Sequence, residues 1–479
     1  MSRSPSPLSP EPAQSELLLP DRGQEAIAIH LLDKDGLESW LARRGAAQRA
    51  QLSAQKFAAK PNSHAIFAEG DGWAVAAGVG DVDQLSCWCL AKLAEVLPAG
   101  NYRLAAEADI RPERALLGWV LGQYGFERYR SAPGSEGPRV LLTSAVKAIA
   151  PALAEAAAVT LVRDLVNTPA EDMGPGELEQ TVEMLAKPHR ATVRVAKGET
   201  LEREYPMVAM VGRAAGRAHA PRMIELEWGD PSHPRVAIIG KGVCFDSGGL
   251  DLKPSSAMLL MKKDMGGAAI AIALAGLVMQ AGLKVRLHLL VPAAENALGG
   301  NAFRPGDVLK SRAGISVEIG NTDAEGRLLL GDALARAGEG ADGIRPDLIL
   351  DFATLTGAAR SALGPDLPAL MTREDSTAQA LIEAGLATDD PCWRLPLHEP
   401  YRDYLKSDIA DIMNAHANPF AGASVAGLFL DRFVPEGLDW AHFDTFAWRP
   451  AAKPGRPKGG DALGLLAAWA MLQKRYGAR

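Results

Sequence analysis

The second half of the chain alternates between mainly apolar runs and segments whose apolar residues recur at helical spacing. The apolar runs have the length of β-strands, and they lie at 206–212, 223–229, 235–240, 284–292 and 347–357. The segments at 266–281 and 327–338 have the length and spacing of helices. Strands that are apolar on both faces and alternate with helices indicate a largely parallel sheet with helices on both sides.

The first half has shorter elements in a similar alternation. Strand patterns are found at 25–32, 64–80, 102–109 and 139–145, and helical patterns at 35–55, 83–97 and 111–125. An alanine-rich helix is predicted at 146–166. We therefore predict the fold class α/β, with two α/β domains. The C-terminal domain should contain a largely parallel buried sheet flanked by helices.

The composition of the chain suggests where these domains begin and end. Residues 1–22 are rich in Ser and Pro and lack the apolar stretch of a signal peptide, so we interpret them as a disordered leader. The N-terminal α/β domain is predicted over 23–150, a linker helix over 151–168, and the larger C-terminal domain over 169–479.

The charge balance excludes some classes of partner. The chain has 58 acidic residues against 51 Lys and Arg, and its formal net charge is -7. Nucleic acid and anionic membranes are therefore disfavoured as main partners. The uncharged stretch 265–283 is rich in Gly and Ala and has Asp264 and Lys284 at its ends, so we expect a buried helix and no membrane span. The four cysteines show no disulfide or zinc-finger spacing, which fits a reducing cytoplasm.

Charged residues gather where the predicted strands end. They are Lys241, Asp246 and Lys253 after the strand at 235–240, Asp264 at the entrance of the helix at 266–281, and Asp323, Glu325 and Arg327 after a short strand at 315–319. Open parallel sheets bind ligands beyond the carboxyl ends of their strands. We therefore expect these residues to converge on one rim of the sheet.

Taken singly, each of these residues has an ordinary structural explanation, because acids cap helices and form turns and lysines are usually solvated. The set of four carboxylates is harder to explain in this way. Burying Asp246, Asp264, Asp323 and Glu325 together without partners would be prohibitively unfavourable. Two divalent cations would balance their charge, and carboxylate ligands suit Zn, Mn or Mg. The sequence thus predicts a metal site at the strand carboxyl ends.

Three long segments of this rim carry a specific pattern: GKGVCFDSGG at 240–249, MKKDMGGAA at 261–269 and NTDAEGRL at 321–328. Shorter segments accompany them: NTPAEDMGP at 167–175, ATLTGA at 353–358 and WRLPL at 393–397. Together they resemble the signatures of the leucine aminopeptidase (cytosol aminopeptidase) family. The resemblance covers about residues 160–450.

The resemblance implies a metal-dependent aminopeptidase that removes an N-terminal residue, leucine or similar, from peptides with a free N-terminus. It implies two divalent metal ions per subunit, Mn or Zn, which activate a water. The implied metal ligands are Lys241, Asp246, Asp264, Asp323 and Glu325. Asp246 and Glu325 would bridge the two ions.

The same resemblance implies the remaining parts of the site. Lys253 would stabilise the oxyanion, and Arg327 would hold a bicarbonate ion that acts as general base. The implied substrate pocket consists of Met261, Thr354, Leu355 and Gly357. The family also implies a homohexamer.

Two other functions remain open at this point. The first is a non-catalytic binding protein on the same scaffold, but such a protein would be free to lose some of the metal and catalytic residues, and all are present. The second is a two-metal phosphoesterase, because carboxylate sites with two metals also serve phosphate chemistry. A metal-bound lysine and a peptide-pocket motif argue against the second.

Overall fold

The computed structural model of the protein describes residues 14–105, 111–131, 137–340 and 343–477. The chain forms two compact units. The smaller unit contains the described residues up to Thr160 together with Ala451–Lys458, and the larger unit contains Leu161–Pro450 and the described residues from Gly459 onward.

The smaller unit is built on a six-stranded sheet with the strand order β1-β6-β5-β2-β4-β3. Its strands are β1 Leu18–Pro20, β2 Ile27–Leu32, β3 His64–Glu69, β4 Gly72–Gly78, β5 Gly100–Leu104 and β6 Arg139–Thr143. Its helices are α1 Leu37–Ala42, α2 Ala46–Ala54, α3 Ala91–Val96 and α4 Ala115–Leu121, and α5 Val146–Asn167 leads from this unit into the larger one. The pair β3–β4 is antiparallel and the other pairs are parallel.

Part of the predicted disordered leader is ordered, and this part of the prediction is wrong. Strand β1 pairs with β6, and Leu18 is buried. Leu18 is the middle one of three consecutive leucines that follow the polar start, and pairing with β6 removes its side chain from water. Residues 1–13 of the predicted leader lie outside the described residues, as do residues 106–110 at the end of the strand predicted at 102–109.

The single helix predicted at 35–55 is two helices. Gly45 has an extended backbone and stands as the N-cap of α2, where its N–H donates to the side chain of Gln48 at 3.0 Å. The helix predicted at 83–97 is also shorter, because α3 begins only at Ala91.

The larger unit contains the remaining elements. Its strands are β7 Thr192–Ala196, β8 Arg222–Trp228, β9 Arg235–Gly240, β10 Gly242–Asp246, β11 Arg286–Asn296, β12 Val308–Lys310, β13 Ser316–Glu318, β14 Leu348–Ala353, β15 Ala369–Thr372, β16 Trp393–Arg394, β17 Ile412–Met413, β18 Trp440–Asp444, β19 Trp448–Arg449 and β20 Gly459–Gly460. Its helices are α6 Pro175–His189, α7 Gly198–Glu204, α8 Pro206–Gly212, α9 Ser255–Met258, α10 Gly266–Gln280, α11 Gly326–Gly338, α12 Gly357–Leu363, α13 Asp375–Ala387, α14 Gly422–Asp431 and α15 Leu465–Tyr476.

The main sheet of the larger unit has the strand order β16-β15-β18-β14-β9-β11-β8-β7, and β10 pairs with β11. Its centre, β18-β14-β9-β11, is parallel, and antiparallel pairs occur toward the edges. A large apolar cluster packs α8, α11 and α14 against the sheet, and α10 contacts β9, β14 and α15. The predicted fold class, α/β with a largely parallel sheet flanked by helices, is confirmed.

The strand predicted at 206–212 is wrong, because this segment forms helix α8. Pro206 starts the helix, where its missing N–H costs no hydrogen bond. The N–H groups of Met207 and Val208 donate to the buried carboxylate of Asp332 at 2.8 and 3.4 Å. Most of α8 is buried, and a helix buried on several faces gives the same continuous apolar run as a buried strand.

Helix α10 lies close to the sheet because small residues stand at the contact. A Cβ on Gly240 would lie 2.5 Å from the Cα of Ala268, and a Cβ on Gly267 would lie 2.1 Å from the carbonyl oxygen of Phe352. This approach fixes the start of α10, and Asp264 just before it, beside the carboxyl ends of β9 and β14. Within the described parts of the chain, no helix combines the length and the apolar character that crossing a membrane requires.

The close approach gives a stability prediction. Gly267→Ala should lower the free energy of unfolding by about 1–3 kcal/mol, because the new methyl group meets a backbone carbonyl that cannot move without shifting β14. Gly276→Ala in the same helix is the matched control, since its Cβ would meet the flexible tip of Leu185 at 3.1 Å. The control should be neutral or stabilising, as Ala is the better helix former. Urea denaturation of both variants tests this, and equal stability would contradict the packing argument.

Candidate functional site

The predicted site residues lie together at the carboxyl ends of the central strands. Lys241 follows β9 directly, Asp246 ends β10, and Thr354 follows β14. Asp264 lies in a 3-10 turn that leads into α10, and Glu325 precedes the first residue of α11. The complete predicted set lines one cavity of about 610 Å³: Lys241, Asp246, Lys253, Met261, Asp264, Asp323, Glu325, Arg327, Thr354, Leu355 and Gly357.

Three carboxylates of this cavity are close enough to share a cation. One oxygen each from Asp246, Asp323 and Glu325 lie within 4.8 Å of one another. Asp246 and Glu325 are buried, whereas Asp323 is exposed. Both carboxylate oxygens of Glu325 are buried and, among the described residues, have no hydrogen-bond partner. The one close cation in the described parts of the chain is the Lys241 ammonium, 3.1 Å from Oε1, so this carboxylate could also receive a ligand that supplies positive charge.

Two lysines stand between the acids. The Nζ of Lys241 lies 2.6 Å from Asp264 Oδ2 and 3.1 Å from Glu325 Oε1. The Nζ of Lys253 lies 2.8 Å from Asp246 Oδ2 and also contacts Asp323 Oδ1. The site therefore has two ends, one at Lys241 and Asp264 and the other at Lys253 and Asp323.

The acids of this cavity differ in their pKa values. Burial and the charge of Asp246 raise the pKa of Glu325 to about 8. The same two causes raise the pKa of Asp323 to about 6. Burial would also raise the pKa of Asp264, but the charges of Lys241 and Lys263 lower it to about 2. Glu325 is therefore largely protonated near neutral pH, and a cation that binds here would displace this proton.

Gly326 lets the acids approach Lys241. A Cβ at this position would lie 2.5 to 2.8 Å from the Cε, Nζ and Cδ atoms of Lys241. Any side chain here would displace the lysine, so the glycine between Glu325 and Arg327 is required by packing.

Arg327 is a buried cation at the same cavity. One of its Nη atoms donates to the carbonyl oxygen of Asn414 at 2.5 Å, and its guanidinium lies 5.9 Å from the ring centroid of Phe429. Its Nε has no acceptor among the described residues. Burial lowers the pKa of Arg327 to about 10, so it remains charged at neutral pH. The cavity therefore offers an anion a fixed guanidinium.

Sequence reasoning missed two residues that shape this site. Asn296 donates through Nδ2 to Asp246 Oδ1 at 2.9 Å and to the carbonyl oxygen of Thr322 at 3.1 Å. Lys263 is buried with its Nζ 3.1 Å from Asp264 Oδ1. The position of Asn296 at the end of the apolar strand β11 was a signal that could have identified it, since Lys241 and Asp246 also lie where strands end.

Comparison with family models matches both parts of the chain. Residues 160–467 match the catalytic domain of the cytosol aminopeptidase family, and residues 27–141 match the M17 aminopeptidase N-terminal domain. Curated relatives agree with this assignment. The probable cytosol aminopeptidase of Syntrophotalea carbinolica is 38% identical over 364 residues, covering 73% of this chain and 72% of that protein. The probable cytosol aminopeptidase of Roseiflexus castenholzii is 38% identical over 365 residues, covering 73% of each.

Solved structures are similar over nearly the whole chain. The cytosol aminopeptidase from Coxiella burnetii is 47% identical with a TM-score of 0.90, covering 96% of this chain and 99% of that one. The bottromycin maturation enzyme BotP in complex with Mn is 33% identical with a TM-score of 0.85, covering 94% and 99%. From the motifs, the cavity and these similarities together, we conclude that the chain belongs to the cytosol aminopeptidase family of metal-dependent aminopeptidases.

Proposed function

We propose that this protein removes the N-terminal residue, leucine or a similar residue, from peptides with a free amino terminus, using a water activated by two divalent cations. The observation that carries the proposal is the buried Glu325 carboxylate, which has no hydrogen-bond partner among the described residues and lies beside Asp246 and Asp323. The Lys241 ammonium lies 3.1 Å from Glu325 Oε1, but Asp264 shares that ammonium, so the buried carboxylates leave room for further positive charge.

The side chains present suit a pair of divalent cations. Four carboxylates and one amine line the cavity, and both groups are suitable ligands for Mn and Zn. The proposed ligands are Lys241, Asp246, Asp264, Asp323 and Glu325. Cations of this kind lower the pKa of a water molecule and polarise a carbonyl group. The Mn complex of BotP, at 33% identity, supports manganese as one suitable metal.

Lys241 can serve as a ligand only when it is neutral. Removing its proton at pH 7 from a reference pKa of ~10.4 costs ~4–5 kcal/mol. Burial favours the neutral amine, but Asp264, Glu325 and Asp246 together raise its pKa. Cations that neutralise these acids would leave burial as the dominant effect on the pKa of Lys241. Metal binding would therefore favour the neutral amine, and the neutral amine would in turn favour metal binding.

Lys253 and Arg327 have separate proposed roles. Lys253 is less deeply buried than Lys241, and its ammonium reaches the cavity at the Asp323 end, where it would stabilise the oxygen that becomes anionic during attack. Arg327 would hold a bicarbonate ion as general base through the donors that Asn414 does not occupy. In these proposed roles both residues would act through their positive charge.

Hydrogen bonds connect the proposed substrate pocket to the proposed metal ligands. Thr354 donates from Oγ1 to Asp264 Oδ1 at 2.8 Å, and its carbonyl accepts from Lys241 at 3.3 Å. Leu355 donates its N–H to Asp444 at 3.0 Å. Thr354 is thus tied to two proposed metal ligands and Leu355 to Asp444, and together with Met261 and Gly357 they would receive the substrate's first residues.

The family assignment favours this function over the two alternatives. It favours an enzyme over a non-catalytic binding protein, and a peptidase over a phosphoesterase. The homohexamer, the cytoplasmic location, zinc and bicarbonate remain predictions.

The role of Lys253 can be tested directly. Lys253→Ala should keep both metals and lower kcat on leucine-p-nitroanilide by ~10²–10³-fold, the typical loss when one oxyanion stabiliser is removed. Metal content by mass spectrometry and steady-state kinetics measure the two effects. Lys310→Ala, at an exposed lysine of β12, is the control and should change neither. Loss of metal from the Lys253 variant would show that this residue has been assigned the wrong role.

A further inference from the structure

The wall of the cavity contains an aromatic ring flanked by two cations. The guanidinium carbon of Arg360 lies 4.5 Å from the ring centroid of Phe446, and the Nζ of Lys263 lies 5.6 Å from it. All three residues line the same cavity as the proposed metal ligands. A guanidinium over an aromatic face is attracted to the ring, so Phe446 gives the flexible Arg360 side chain a preferred position.

The direction of Arg360 follows from its place in α12. It lies three residues after Gly357, and residues with this spacing are neighbours on a helix. One of its Nη atoms lies 3.9 Å from the position a Cβ would take on Gly357. The guanidinium therefore extends over Gly357, a residue of the proposed substrate pocket, and does not point away along the helix.

The acids near this wall are already engaged. Asp444 accepts from the hydroxyl of Thr356 at 2.6 Å and from the N–H groups of Leu355 and Thr356 at 3.0 and 3.1 Å. Asp264 is paired with Lys241 and Lys263. Arg360 is exposed and makes no hydrogen bond or ion pair within the ranges that the structure describes. Its planar set of five donors, which suits a carboxylate, is thus available to a ligand in the cavity.

The proposed function places the first side chain of the substrate near this wall. Lys253 would stand at the scissile carbonyl, at the Asp323 end of the site, so the substrate's amine would lie toward the Lys241 and Asp264 end. That end adjoins the turn Met261–Met265, which carries Lys263. The side chain of the substrate's first residue would then face the wall formed by Gly357, Arg360 and Phe446.

We propose that Arg360, positioned by Phe446, is a specificity-determining residue that favours an acidic first residue in the substrate and disfavours a basic one. The inference rests on the proposed function, because it requires that a peptide's first side chain enters this cavity. The proposed preference depends on the charge of the substrate's first side chain and not on its size. A first residue of glutamate should be preferred over glutamine, which has the same shape, and lysine should be the poorest of the three.

The test compares the p-nitroanilides of glutamate, glutamine and lysine, all with added Mn²⁺. The readout is the ratio of kcat/KM between two substrates on one enzyme, in which any uniform loss of activity cancels. In Arg360→Gln the glutamate-to-glutamine ratio should fall about 10-fold, the discrimination typical of one hydrogen bond between charged groups. In Arg360→Glu the preference should reverse, with lysine cleaved better than glutamate. Arg345→Gln, at an exposed arginine outside the cavity, should keep the wild-type ratios.

Three outcomes would overturn the inference. The first is an unchanged glutamate-to-glutamine ratio in both Arg360 variants while leucine-p-nitroanilide is still cleaved, which would leave the proposed function intact. The second is a change confined to the ratio between Leu-Gly and Leu-Gly-amide, which would mean that Arg360 binds the substrate's terminal carboxylate. The third is a wild-type protein that cleaves none of the anilides, which would remove the proposed function and the inference together.

Discussion

Leucine-p-nitroanilide should be hydrolysed and N-acetyl-leucine-p-nitroanilide should not, with a difference of ~10⁴–10⁵-fold in kcat/KM. The reason lies in the two ends of the site. If Lys253 acts at the scissile carbonyl as proposed, the substrate's amine would reach the end formed by Lys241 and Asp264. Acetylation removes the lone pair of that amine and leaves a buried polar position without its partner, which is the costliest kind of mismatch.

A second substrate separates loss of the amine from added bulk. N-methyl-leucine-p-nitroanilide keeps a basic amine while adding one carbon, so it should retain far more activity than the acetylated compound. All three substrates are compared at matched concentration and metal. Comparable rates on the free and acetylated substrates would show that the amine is not recognised, and the protein would then be a general hydrolase.

Removing divalent metal should abolish turnover, and Mn, Zn or Co should restore it. Without cations, burial and the charge of Asp246 raise the pKa of Glu325 to about 8, so near neutral pH this carboxylate is largely protonated. A protonated carboxylate is a poor ligand and leaves Lys253 and Lys241 as the counter-charges of the remaining acids. The metal-free protein therefore keeps a compensated site and should stay folded while inactive.

The measurement combines prolonged chelation, removal of the chelator, and assay before and after Mn²⁺ is added back. Circular dichroism of the chelated protein is the control for unfolding, and it should match that of the untreated protein. An inactive protein with native circular dichroism that no divalent metal reactivates would contradict the assignment of these acids as metal ligands.

The parallel sheet and the position of the site could be predicted from the sequence because both depend on local patterns. Apolar runs between helices predict buried parallel strands, and charged residues after the strands predict the rim where ligands bind. The residues Lys241, Asp246 and Lys253 were predicted by that rule, and all three line the cavity.

Features that depend on tertiary contacts could not be predicted in this way. Helix α8 has the apolar run of a strand, and its identity depends on the carboxylate of Asp332, which lies on α11. Strand β1 forms by pairing with the edge of β6, which lies far along the chain. Arg360 and Phe446 are also distant in sequence, and their contact appears only when α12 and the segment after β18 come together.

The central claim is that the buried acids hold two divalent cations that hydrolysis requires. The most direct measurement is a titration of the chelated protein with Mn²⁺, recording bound metal and leucine-p-nitroanilide turnover on the same samples, for the wild type and for Glu325→Gln. We expect wild-type activity to rise to a plateau as about two ions bind per chain, whereas the variant should bind less metal and stay inactive. Full turnover in samples verified to be free of metal, or a Glu325→Gln variant with wild-type metal content and activity, would contradict it.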